Sequence, residues 1–177
     1  MATDHVLAAG LTGLNASPMI QHWTGKAASG YLKQLEGFAT VIASSATDST
    51  YRLVRVPTNA KVKHLFLEAE ANGASTAWNI GLWYSNDPKD GTPPALLGTV
   101  LDADFFDTAL ANTNAIQSVD LVATDSPGYN ISEREKPLWE AAGLTTDPGG
   151  FFDIVMQPST QVGTGTGRVR LSCEFVM

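Results

Sequence analysis

A chain of 177 residues is long enough for one hydrophobic core, since a domain near this size buries roughly two-thirds of the surface its unfolded form exposes. Eighteen acidic against eleven basic residues give a formal net charge of -7, which on average repels nucleic-acid backbone and argues against DNA or RNA as the main partner. The single cysteine, Cys173, can close no internal disulfide and build no thiolate zinc cluster, so folding is expected without cross-links in a reducing compartment.

Residues 1 to 36 carry scattered small and polar groups, Pro18, and isolated large side chains at Ile20, Trp23, Tyr31 and Leu32. This pattern predicts an extended arm that gains order by lying on another surface, with those four residues as its anchors. Asp4, with no Lys or Arg ahead of the apolar stretch from Val6 to Leu14, is the wrong charge for a secretory leader. No segment approaches the ~18 to 20 apolar residues of a membrane helix, so a soluble protein with no membrane partner is expected.

From Gly37 onward short apolar or alternating runs are separated by turn residues, the pattern of antiparallel sheets. In chain order the runs are Ala39 to Ala43, Tyr51 to Val56, Val62 to Ala69, the row Trp78, Ile80, Leu82 and Tyr84, Leu96 to Leu101, Ala115 to Leu121, the row Phe152, Ile154 and Met156, and Arg168 to Val176. The last is the clearest: Val169, Leu171, Cys173 and Phe175 share one face, and Arg168, Arg170, Ser172 and Glu174 the other. Asn72-Gly73, the Asn86 to Gly91 stretch and the Gly163 to Gly167 stretch have turn chemistry. Two short helices are expected, one capped by Asp104 and carrying Phe105, Phe106 and Leu110, the other from Pro137 to Ala142 and stopped by Gly143. The fold class is therefore mainly β: an antiparallel, jelly-roll-like β-sandwich over residues 37 to 177 behind an N-terminal arm.

Residues with chemical potential have plainer readings. His5, His22 and His64 share no metal-ligand spacing. Cys173 falls on an inward face, where a thiol is inert. Asp102, Asp104 and Asp107 form the most enzyme-like cluster, a carboxylate pair suited to glycosidic bonds, but the spacing also suits a helix start. Asn86, Asp87 and Asp90 put oxygen ligands in one loop without the glutamate an EF-hand needs at its twelfth position. Gly163, Gly165 and Gly167 read as a flexible hairpin loop, since no Lys-Ser/Thr or helix follows. Arg168 and Arg170 project from one strand face, where they touch acidic protein surface or phosphate, or else pair across the sheet with carboxylates, the last being favoured. Trp83, out of phase with its row, is either an exposed ring for stacking or the covered second face of its strand. No catalytic residue, cofactor or metal is expected.

Five stretches carry a resemblance: Tyr51 to Ala60 (YRLVRVPTNA), Ile80-Gly81-Leu82-Trp83-Tyr84, Asp102-Ala103-Asp104-Phe105-Phe106, Glu135 to Glu140 (EKPLWE) and Phe152-Asp153-Ile154. Together they resemble capsid decoration, or cement, proteins of tailed bacteriophages over about residues 37 to 176. The resemblance implies a non-catalytic structural protein, made in the host cytoplasm, that sits on the capsid exterior of the virion. Its partners would be the major capsid protein and itself, as a homotrimer over three-fold or quasi-three-fold positions. The arm, with Ile20, Trp23, Tyr31 and Leu32, would tether it to the shell or to a neighbouring copy. A lectin-like or head-fibre module holding host glycans through Trp83, Tyr84 or loop carboxylates is the alternative, and a hydrolase using Asp102 and Asp104 a distant third.

Overall fold

The alternation from Arg168 to Val176 organises one layer of the molecule. In a computed structural model that describes residues 5–7, 32–73, 75–85, 99–123 and 129–177, this run forms strand β9 (Arg168–Val176), with Val169, Leu171, Cys173 and Phe175 all buried. On one side β9 pairs antiparallel with β2 (Lys33–Thr40), and on the other with β4 (Lys61–Ala69), which is flanked in turn by β7 (Ile116–Asp120). We refer to this layer as the β9 sheet. Strand β2 begins inside the segment assigned to the arm, because Lys33, Gln34 and Leu35 pair with Phe175, Glu174 and Cys173. It ends at Thr40, short of the expected Ala43, where Ser44 turns the chain at φ 60° and Val41 N–H bonds the Gly167 carbonyl. Its inward residues after Leu35 are Gly37 and Ala39, too small to announce a strand by hydrophobicity alone.

The second layer holds β3 (Thr50–Pro57), β8 (Phe151–Pro158), β5 (Ala77–Tyr84) and β6 (Val100–Ala111) in that spatial order, and is termed the β8 sheet. The orders β2-β9-β4-β7 and β3-β8-β5-β6 are those of an eight-stranded jelly roll, two Greek keys folded face to face. A three-residue strand, β1 (His5–Leu7), adds to the free edge of β3 in parallel, Leu7 lying opposite Arg52. Among the described residues the only helix is α1 (Leu138–Ala141), preceded by Pro137 and followed by Gly143 at φ 77°. It docks through Leu138 N–H on the Ala60 carbonyl and Trp139 N–H on the Thr58 carbonyl.

The helix expected after Asp104 is replaced by strand. Between the pairs Leu82/Asp102 and Ile80/Asp107, β6 advances five residues while β5 advances two, and Ala109 has φ 53°. The surplus residues form a bulge that bends the edge strand. It turns Phe105 and Phe106 into the core, where both rings pack on Tyr129 at 5.3 and 5.2 Å between centroids. Consecutive aromatics on one side, unusual for a strand, imitate helical spacing in the sequence.

One end of the sandwich is closed by buried amides. Asn72 donates to the Glu70 carbonyl and to Asn112 Oδ1 and accepts from Gly167 N–H, while Trp78 Nε1 donates to the same Asn112 oxygen. Gly163 and Gly165 lie against the Asn72 and Gly73 backbone so closely that a Cβ would come within 3.0 and 2.7 Å of it. The glycines at 163, 165 and 167 therefore serve close packing of two loops, which corrects their reading as a flexible hairpin.

Candidate binding surface

Each sheet has one face on the core and one outer face, and the two outer faces differ. On the β8 sheet the outward residues Arg52, Arg55, Asp153, Val155 and Trp83 are all buried, with Asp153 and Val155 at 0% exposure. Asp153 lies between two guanidinium groups: Arg55 clasps it with Nε at 2.6 Å and Nη2 at 3.1 Å, and Arg52 pairs with its second oxygen. Burial pulls the Arg52 guanidinium below its ordinary range, with Asp153 opposing the shift and Arg55 adding to it. This face is closed.

On the β9 sheet the outward row of β2, Gln34, Glu36, Phe38 and Thr40, is exposed, and Phe38 is 54% accessible. Arg170 on β9 bridges Glu36 of β2 at 2.6 Å and Glu68 of β4 at 3.0 Å, with its guanidinium carbon 5.9 Å from the Phe38 ring centre. The two carboxylates raise the Arg170 pKa, the Glu36 hydrogen bond most. Farther along, His64 Nδ1 lies 2.7 Å from Asp120 Oδ2 and its ring stacks on Phe66. An open groove of about 390 Å³ crosses this face, walled by Phe38 and Ile116, with Arg168, Arg170, Glu68 and Glu70 among its lining.

Arg168 and Arg170 are thus brought together on the exposed face, and Arg170 makes the cross-strand pairing the sequence favoured. Arg168 receives only a backbone contact, its N–H donating to Glu70 Oε2 at 2.8 Å, and its side chain forms no ion pair among the described residues. Leu32, 55% exposed, precedes β2. Ile20, Trp23 and Tyr31 lie outside the described residues, as do Asn86, Asp87 and Asp90. Phe38, Glu36 and Glu68 were missed by sequence reasoning. The signal was the phase of Glu36, Phe38 and Thr40 against Leu35, Gly37 and Ala39, visible only once the strand is started at Lys33.

The chemical candidates are placed as follows. Asp102, Asp104 and Asp107 lie on β6 and not at a helix start. Desolvation raises the Asp102 and Asp107 pKa values; at Asp102 the Asp104 backbone N–H opposes the rise and the Asp104 carboxylate adds to it. Cys173 is fully buried, which pushes its thiol up beyond any nucleophilic range. Trp83 is 5% exposed, so it is the covered second face of its strand and offers no stacking platform; Tyr84 is half-buried against Phe152. Among the described residues no group of three or more His, Cys, Asp or Glu side chains could hold a metal ion, and no helix is long and apolar enough to cross a membrane.

No protein-family model matches the chain, and no curated protein matches it. Two solved structures are similar to it. One is the capsid asymmetric unit of cyanophage Pam1, at 14% identity and a TM-score of 0.48, covering 92% of this chain and 96% of that one. The other is the capsid of Ralstonia phage GP4, at 13% identity and a TM-score of 0.49, covering 92% of this chain and 94% of that one. At that level neither assigns the chain a role.

Proposed function

We propose that this protein is a non-catalytic structural component of a tailed-phage virion, a decoration or cement protein that binds the capsid exterior and associates with itself, as a homotrimer, over three-fold or quasi-three-fold positions. The observation that carries the reading is the asymmetry of the sandwich. Cys173 is sealed in the core and Asp153 is held between two arginines, while the outer face of the β9 sheet carries an exposed aromatic and a charged groove. Jelly rolls serve viral shells and lectins alike, so the fold is compatible without being decisive. The motifs that resemble cement proteins fall on β3, β5, β6, β8 and the approach to α1, the parts that build the sandwich.

Cementing follows from mass action. A protein that binds the closed lattice and not separated capsomers stabilises the lattice by RT ln(1 + [L]/Kd), about 2.7 kcal/mol per site at a hundredfold excess over Kd. Three linked copies raise the effective affinity further. The test is co-sedimentation of the purified protein with undecorated shells of its phage, followed by thermal disassembly. Saturable binding that raises the disassembly temperature is expected; absence of binding, or a saturable signal on a glycan array instead, would overturn the reading.

A further inference from the structure

The strongest exposed apolar side chain in the described structure is Ile131, at 79%. It sits on a turn fixed by short contacts: Ser132 N–H and Oγ both donate to Asn130 Oδ1, and Glu133 N–H donates to the Asn130 carbonyl. The turn is bolted to the sandwich by Tyr129, whose hydroxyl donates to the Val62 carbonyl at 2.8 Å, and by Lys63, which donates to the Arg134 carbonyl and to Glu135 Oε1. A hydrogen-bonded turn holding a large aliphatic group in water is a protrusion with no apolar partner among the described residues.

The groove walled by Phe38 and Ile116 lies at the other end of the same sheet. Val62 pairs with Phe175, whereas the groove surrounds Val169, six residues along β9 and about 20 Å away at strand rise. A protrusion and a recess at opposite ends of one layer suit a head-to-tail contact between copies, which closes into a ring when the rotation between copies permits. Charge permits the contact: Glu135, paired with Lys63 through Oε1 and 81% exposed at its side chain, stands beside the protrusion, and Arg168, with no ion pair among the described residues, lines a recess that also holds Glu68 and Glu70. The chain's net charge of -7 disfavours any contact between copies that does not set opposite charges together.

We propose that a second copy of this chain seats its Ile131 turn in the Phe38 groove, with its Glu135 meeting Arg168, and that this heterologous contact builds the oligomer. The proposal rests on the self-association in the reading above and supplies its interface. Light scattering after size exclusion is expected to show an oligomer for the wild type and monomers for Phe38→Asp and for Ile131→Asp. Each variant keeps one intact half of the contact, so an equimolar mixture of the two is expected to form a one-to-one heterodimer. Phe38→Ser and Ile131→Ser, read with circular dichroism, guard against a variant that fails to fold. A wild-type oligomer whose mass neither substitution lowers overturns the contact while leaving shell binding standing. A mixture that stays monomeric also overturns it, and a monomeric wild type overturns contact and self-association together. Shell co-sedimentation of the same variants reads the capsid role independently.

Discussion

Asp153 carries more structural consequence than any other single side chain. It neutralises two buried arginines, and removing one partner from such a cluster leaves an uncompensated charge out of water. Asp153→Ala is expected to destabilise the fold by roughly 3–5 kcal/mol in urea unfolding. Asp107 works in the opposite direction. Desolvation raises its pKa, so its ionised form is held unfavourably in the folded state, a penalty present above its folded pKa and relieved as the carboxylate is protonated in acid. Asp107→Asn should therefore raise the melting temperature at neutral pH and lose that advantage near pH 3. Cys173 and Tyr129 set an alkaline limit. Burial raises both pKa values in the fold, whereas the unfolded chain ionises near 9 and 10, so the unfolded state binds fewer protons above those values. Stability should fall by up to about 1.4 kcal/mol per pH unit for each group above its unfolded pKa. Urea titrations from pH 8 to pH 11 would show a flat curve only if both groups ionised freely in the native state.

At the level of elements, Gly81 decides how β6 can sit. A Cβ there would overlap the backbone of Asp102 and Ala103, at the start of the β6 bulge. Gly81→Ala should force β5 and β6 apart, at a cost of at least the roughly 1–3 kcal/mol of ordinary overpacking, and open the Phe105/Phe106/Tyr129 cluster to hydrogen exchange. The same bulge explains what could be read in advance. Strand β9 was legible because one face is dry and the other wet, so its letters alternate. Strand β3 was less clear because Arg52 and Arg55 are as buried as Leu53 and Val54, and sequence alone cannot show that two cations share one buried carboxylate. Strand β6 was misread because inserted residues erase the period of two. The candidate groove was legible only in part: Arg168 and Arg170 announced themselves by phase, whereas Phe38 belongs to a strand whose inward positions are filled by Gly37 and Ala39. Its other wall, Ile116, arrives from β7, a strand placed beside β4 by topology.

For the molecule as a whole, the boundary between arm and sandwich matters for truncation. Deleting residues 1 to 35 removes Lys33, Gln34 and Leu35 from their pairing with β9, so loss of shell binding by that variant would mix unfolding with loss of a tether. Deleting 2–31 keeps β2 whole and gives up the three-residue β1. This shorter deletion is expected to fold cooperatively with a modestly lower melting temperature and to decorate shells more weakly if the arm contributes an anchor. Unchanged shell affinity would assign docking to the sandwich alone.

Strand β8 lies between β3 and β5, and its residues from Phe152 to Met156 are buried on both sides of the sheet. Neither face of that strand offers evolution or an engineer a neutral position. In a saturation library sorted for soluble expression, 152–156 should form the deepest trough of tolerated substitutions, and the outward positions of β2 should form a plateau on which surface chemistry can be rewritten.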